Sequence, residues 1–286
     1  MNWLFTHQID ASVLSYRIIL IVAMTCMASA ALAAISMRTV GGGKYAAIGS
    51  VSVPLAFLTG SFFFLGLPPA WSVDPLHLLP YVILIGVIAG IAVDVFSHIE
   101  NVRLLVVLAW PAVVVVGIGW QEMPDFATIA GLPMAVLWLC AVLGYLWMGA
   151  KHRFQSTPIV CLFAIIVGLG LLAFLDDSRI VTVLSGILAA ALLGFFALNW
   201  PTVRVPLLAT GNFGIAGAVL SLAVLEALYT TTPVAAIGLL LLVLAMPPIA
   251  GRLPLGKDAK AGPLILLLTT ALPIVGALAL AMHLKG

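Results

Sequence analysis

The chain has 286 residues, of which 64% are hydrophobic and 8% are charged, and its mean hydropathy is +1.26. About a quarter of the residues of a soluble globular domain are charged, so this composition excludes that class. The net charge of +2 is uninformative by itself, and we expect no nucleic-acid partner. Apolar residues run continuously rather than in alternation, which favours membrane-spanning helices over a β-barrel.

We expect about ten membrane-spanning helices, because roughly 20 apolar residues are needed to cross the hydrocarbon of a bilayer. In chain order they lie at 18–37, 45–65, 79–96, 102–119, 128–149, 158–175, 181–198, 207–229, 234–250 and 264–282. The connections are short, so residues 1–286 are predicted to form a single integral membrane domain. The predicted fold class is therefore all-α, a polytopic transmembrane helical bundle.

Positive charges concentrate in alternate loops. Nine of the 12 lysine and arginine residues lie in one set of loops, namely Arg38, Lys44, Arg103, Lys151, Arg153, Arg204, Arg252, Lys257 and Lys260. The other set holds Arg17, Arg179 and Lys285. Cytoplasmic loops carry the excess of Lys and Arg, so we predict that the first set is cytoplasmic and that both termini lie outside the cytoplasm.

The first of these cytoplasmic loops holds Gly41, Gly42 and Gly43, with Arg38 before them and Lys44 after them. Glycine permits positive φ and close backbone approach, and a helix N-terminus binds anions. The loop is therefore a candidate phosphate-binding site. A flexible turn with ordinary cytoplasmic cations explains the same pattern, and both interpretations stay open.

The second cytoplasmic loop holds Asp94, His98, Glu100 and Arg103. Mg²⁺ prefers oxygen ligands, usually one or two carboxylates together with phosphates. Asp94 is thus a candidate metal ligand and catalytic residue, with Glu100 as a second carboxylate and His98 as a base. The alternative is a polar loop solvated at the membrane surface.

The loop after the fifth predicted span holds the densest cationic cluster, Lys151, His152 and Arg153. These residues would contact lipid phosphates or serve only to fix the topology. The acidic pair Asp176 and Asp177 is predicted to lie in an outer hairpin, where Ser178 and the two acids suit a helix N-cap rather than a catalytic site.

Glu226 is the carboxylate whose predicted position is most clearly within the membrane, because it lies inside the eighth predicted span, one turn from its outer end. An ionisable residue within a membrane helix is a functional hypothesis by default. Placement at the interface, beside Tyr229 and three threonines, is an equally open alternative.

The stretch from 186 to 217 carries the most specific motif. An Ala191-Leu192-Leu193-Gly194-Phe195-Phe196 run precedes Asn199-Trp200-Pro201, and Arg204-Val205 follows. This pattern resembles the polyprenyl-phosphate N-acetylhexosamine-1-phosphate transferases, membrane enzymes that load a sugar phosphate from a UDP-sugar onto undecaprenyl phosphate. The resemblance implies a multi-pass protein of the bacterial inner membrane, with polyprenyl phosphate and a nucleotide sugar as ligands and Mg²⁺ as cofactor.

Many catalytic positions of that family carry no suitable polar group here. The family's Gly-Asp-x-Gly-Ser signature falls on Leu208 to Asn212, and its Asn-x-x-Asn-x-x-Asp pattern falls on Gly144, Trp147 and Ala150. The family carries two consecutive aspartates where this chain has Val93-Asp94, so Asp94 alone remains of that pair. The candidate phosphate-binding residues are Arg38, Gly41, Gly42, Gly43, Lys44, Arg103, Lys151, Arg153 and Arg204.

Three functions stay open. Phosphoryl transfer depends on charge stabilisation, so we expect first a family member whose catalytic site is lost. Such a protein would bind lipid carrier or another membrane protein in cell-envelope polysaccharide synthesis. The second is an active transferase with a Mg²⁺ site rebuilt around Asp94. The third is a small-metabolite transporter with broken helices at a polar midplane cavity.

Overall fold

A computed structural model describes residues 11–40, 49–67, 74–96, 100–121, 131–151, 156–256, 258 and 260–285. Within these ranges all regular secondary structure is helical, which confirms the predicted all-α class. Seven of the described helices are long and apolar enough to cross a membrane. Three shorter apolar helical segments cover Ser52–Leu65, Gly131–Leu146 and Val234–Ala250. This is the pattern of a multi-pass membrane protein.

Eleven α-helices occur in the described part of the chain. They are α1 (Ala11–Val40), α2 (Ser52–Leu65), α3 (Pro75–Val95), α4 (Glu100–Gly119), α5 (Gly131–Lys151), α6 (Thr157–Leu175), α7 (Arg179–Leu198), α8 (Ala209–Tyr229), α9 (Val234–Leu240), α10 (Met246–Ala250) and α11 (Gly262–Lys285). A helix therefore lies in each of the ten predicted spans.

The span predicted at 234–250 is not one continuous α-helix. Helix α9 ends at Leu240, a 3₁₀ segment covers Leu241–Ala245, and α10 follows. Pro247 and Pro248 explain the break, because neither has an N–H to donate back to the preceding turn. The chain tightens instead, with the Met246 N–H bonded to the carbonyl of Val243.

Helix α8 is the centre of the bundle. Every residue from Thr210 to Glu226 is buried, and α8 contacts α2, α3, α4, α5 and α6. Burial of nearly every residue means that neighbouring helices, rather than lipid, surround α8.

Glycines allow neighbouring backbones to approach α8 closely. A Cβ atom added at Gly90 of α3 would lie 2.4 Å from the Cα atom of Thr210. A Cβ atom added at Gly211 would lie 2.3 Å from the carbonyl oxygen of Ser50. Small residues at such contacts are typical of membrane helix pairs, where close packing drives association.

Helix directions define two ends of the bundle. Gly86 of α3 approaches Phe213 and Gly90 approaches Thr210, so α3 and α8 are antiparallel. Near the far end of α8, the hydroxyl of Tyr229 donates to the carbonyl of Ile118 in α4 at 3.0 Å. We call the end at which α8 begins the Asp94 end, and the end at which α8 and α11 finish the Lys285 end.

The close α3–α8 contact generates a stability prediction. Gly90→Ala places a methyl group against backbone atoms that cannot move aside, and overpacking of this kind costs about 1–3 kcal/mol. We expect a clear fall in the melting temperature (Tm) of the purified protein. Gly117→Ala in α4 is the matched control, because a Cβ there meets no atom within 4 Å. Equal Tm values for the two variants would contradict the packing.

Candidate functional site

The candidate site lies where α8 begins. The N-cap residue Leu208 makes no side-chain capping hydrogen bond, although the first turn of every helix has N–H groups without a partner inside the helix. Asp94, which precedes Ala209 by 115 residues, supplies the cap. Its Oδ1 accepts from the Ala209 N–H at 3.2 Å, and its Oδ2 accepts from the Thr210 N–H at 2.9 Å.

Two further contacts complete this arrangement. The Thr210 hydroxyl donates to Asp94 Oδ2 at 2.7 Å, and the Gly211 N–H donates to Ser50 Oγ at 3.2 Å. Side chains from two other parts of the chain therefore accept hydrogen bonds from the N–H groups in the first turn of α8. The glycines at positions 90 and 211 bring these partners close enough.

The N-terminus of α8 is a favourable place for an acidic side chain. A helix N-terminus carries a partial positive charge that stabilises an anion, and hydrogen bonds from N–H groups to a carboxylate are stronger than neutral ones. The same property makes helix N-termini good phosphate sites. Here the carboxylate of the chain itself occupies the N–H groups of Ala209 and Thr210, so these groups do not face a bound phosphate.

A second polar residue braces the turn between α7 and α8. Asn199 is buried, and its Oδ1 accepts from the N–H groups of Arg204 at 2.9 Å and Val205 at 2.8 Å. Its Nδ2 donates to the carbonyl of Phe195 at 3.1 Å. The asparagine of the motif thus has a structural role. It binds the backbone N–H of Arg204, whose side chain is exposed.

Trp200 joins the same turn to the start of α11. Its Nε1 donates to the carbonyl of Lys260 at 3.1 Å. The motif that carries the family resemblance therefore fixes two connections at the Asp94 end. None of these hydrogen bonds requires a bound ligand.

The predicted site residues have different outcomes. Asp94 is half-buried and contacts α8, Arg103 is half-buried in α4, and Glu100 is exposed in the first turn of α4. Arg38 lies in the last turn of α1 and Lys151 is the last residue of α5, but their side chains are outside the described part of the chain. The residues that lie outside it altogether are Gly41, Gly42, Gly43, Lys44, His98 and Arg153.

The described residues do not fit a magnesium ion at Asp94. Among them, no group of three or more His, Cys, Asp or Glu side chains is placed to hold a metal. The position that matches the acid of the family signature is Ala209, which has no ligand atom in its side chain. Both oxygens of Asp94 already accept hydrogen bonds from α8.

The acidic pair lies at the Lys285 end, but it does not cap α7. Ser178 is the N-cap residue of that helix and makes no side-chain capping hydrogen bond. Asp176 instead pairs with Lys285, with Oδ1 and Nζ 2.5 Å apart. Sequence reasoning missed this pair, because its two residues are 109 positions apart.

Comparison with known proteins adds no family assignment. The chain matches no protein-family model, and no curated protein is similar to it in sequence. The resemblance to the sugar-phosphate transferases therefore rests on the motifs of the chain.

Removing the charge of Asp94 should destabilise the protein. Asp94→Asn replaces one acceptor oxygen with an NH₂ group that faces the N–H groups of α8, and lost helix caps cost about 0.5–2 kcal/mol. We expect a lower Tm in detergent. Glu100→Gln is the control, since that carboxylate is exposed and its removal should change the Tm less. A Tm for Asp94→Asn equal to that of the wild type would contradict the capping role.

Proposed function

We propose that this protein is a membrane-embedded relative of the polyprenyl-phosphate N-acetylhexosamine-1-phosphate transferases that has lost the catalytic site. It acts by binding a lipid carrier or another membrane protein in cell-envelope polysaccharide synthesis. The observation that carries the proposal is the position of Asp94. Asp94 caps α8. Position 209, which matches the acid of the family signature, is an alanine.

The contact between Asp94 and Ala209 also supports the family relationship. In the family, acids occur in two segments that match Val93-Asp94 and Leu208 to Asn212, and magnesium together with several aspartates holds the charge of the reacting phosphates. In the structure the two segments touch, with Asp94 Oδ1 3.2 Å from the Ala209 nitrogen. This contact is what we expect of a family member in which one of the two acids is replaced by alanine.

The loss of the second acid argues against transfer chemistry. A phosphoryl transferase holds the charge of the reacting phosphates mainly with metal ions and their carboxylate ligands. A single carboxylate that already accepts three hydrogen bonds provides a poor magnesium site. Without the metal, little rate acceleration remains.

The distribution of charge supports the proposed orientation. We propose ten spans, with the Asp94 end in the cytoplasm and both termini on the outside, in the inner membrane of a bacterium. Arg103, Arg204, Arg252 and Lys260 belong to the predicted cytoplasmic loops, where such cations contact anionic lipid headgroups. An anionic lipid carrier would meet the same cations.

The two alternatives have weaker support. A rebuilt transferase site requires Asp94 to leave the N–H groups of α8 and to converge with His98 and Glu100. A transporter of the predicted type requires polar groups beside its helix breaks, whereas the 3₁₀ segment at Leu241–Ala245 contains only apolar residues.

A transfer assay tests the proposal. The full-length protein in lipid nanodiscs is incubated with UDP-GlcNAc carrying a labelled sugar phosphate, undecaprenyl phosphate and Mg²⁺. We expect no transfer from the wild type or from Asp94→Asn. Transfer by the wild type that is lost in Asp94→Asn would contradict the proposal and would support the rebuilt site.

A binding measurement on the same samples tests the remaining role. We expect undecaprenyl phosphate to raise the Tm more than undecaprenol, because only the phosphate group is attracted by the cations of the predicted cytoplasmic loops. Arg204→Gln should reduce that difference, since Arg204 is exposed and its removal spares the braced turn. An equal Tm with both lipids would contradict a lipid-carrier role and leave the protein-partner role to be tested by crosslinking.

A further inference from the structure

Glu226 lies in the last turn of α8, at the end opposite Asp94, and it is completely buried. Its Oε1 accepts a hydrogen bond from the Thr232 hydroxyl at 2.5 Å. Its Oε2 is also buried and has no hydrogen-bond partner. The function proposed above does not involve this residue.

A polar turn covers Glu226. The hydroxyl of Thr230 donates to the Glu226 carbonyl at 2.6 Å, and Thr232 is buried beside the carboxyl group. Between them, the Thr231 N–H and hydroxyl both donate to Asp176, the former at 2.8 Å. The turn therefore joins the end of α8 to the end of α6.

Lys285, a cation at this end of the bundle, is already paired. Lys285 Nζ lies 2.5 Å from Asp176 Oδ1 and 3.4 Å from the Leu175 carbonyl. Burial raises the pKa of Asp176, but the hydrogen bonds from Lys285 and Thr231 lower it further, so its pKa lies below the ordinary value. Asp176 is thus the ionised partner of Lys285. The charged residues Asp177 and Arg179 follow it in the sequence and are exposed.

These contacts decide the state of Glu226. A fully buried carboxylate is costly unless a cation and several hydrogen bonds compensate its charge. Oε1 of Glu226 accepts from Thr232, Oε2 is buried without a hydrogen-bond partner, and Lys285 is bound to Asp176. The negative charge of Asp176 opposes a second ionised acid close by.

We propose that Glu226 is a proton-binding site, at which the buried carboxyl group holds a proton in the folded protein. The direct hydrogen bond from Thr232 to Oε1 leaves no space for a metal ion between these atoms. No group of three metal-binding side chains occurs in the described residues, which also favours a proton as the ligand. The proton exchanges with water when the turn from Thr230 to Pro233 opens.

This site links protonation to the conformation of the Lys285 end. Opening the turn separates Thr231 from Asp176, which weakens the contact between α6, α8 and α11. Water that reaches Glu226 would ionise it, and the new charge would compete with Asp176 for Lys285. Protonated Glu226 therefore belongs to the closed arrangement.

Infrared spectroscopy of the full-length protein in lipid vesicles tests the proposal. A protonated carboxyl group has a C=O stretching band separate from that of a carboxylate. At neutral pH we expect this band in the wild type and its loss in Glu226→Gln, which keeps the size and neutrality of the side chain. Asp177→Asn is the matched control, because Asp177 is exposed at the same end and the band should persist.

A second variant tests the assignment even if Glu226→Gln fails to fold. Thr232→Val removes the hydrogen bond to Glu226 Oε1 and should move the band to higher frequency. Absence of the band from the wild type at neutral pH would overturn the proposal. A band that is unchanged in both Glu226→Gln and Thr232→Val would also overturn it.

Discussion

The bonding of Asp94 to the N-terminus of α8 is the interaction on which the Asp94 end depends. Helix α8 is buried along nearly its whole length, and unsatisfied N–H groups in such a place are costly because water does not replace the lost partner. Leu208 provides no side-chain cap, so α3 and the segment at Ser50 supply the acceptors. These hydrogen bonds form only because Gly90 and Gly211 allow the backbones to approach closely. Helix packing and the hydrogen bonding of the α8 N–H groups therefore depend on each other.

The two ends of α8 use acidic residues in opposite ways. At the Asp94 end, both oxygens of the carboxyl group accept hydrogen bonds from the first turn of α8. At the Lys285 end, Asp176 binds both the cation and the donors of Thr231, while Oε2 of the buried Glu226 has no hydrogen-bond partner. The donors around each acid therefore distinguish a structural cap from a proposed proton site.

Much of the fold was predictable from the sequence, because continuous apolar runs of about 20 residues specify membrane helices. The break at Leu241–Ala245 was not predicted, although Pro247 and Pro248 were a visible signal. Asp94 was predicted as a candidate metal ligand and catalytic residue. Its hydrogen bonds to α8 were not predicted, because these partners lie 115 and 116 residues away and local pattern does not reveal such contacts. The absence of Ser, Thr, Asp or Asn at position 208 was a signal that the cap of α8 comes from elsewhere.

Manganese binding, measured by electron paramagnetic resonance, tests most directly whether Asp94 is a helix cap rather than a metal ligand. Mn²⁺ accepts the same oxygen ligands as Mg²⁺, and its signal changes when it is bound. The account predicts that wild type and Asp94→Asn leave the same amount of Mn²⁺ free, with or without UDP-GlcNAc. Mn²⁺ that binds to the wild type and is released in Asp94→Asn would contradict it.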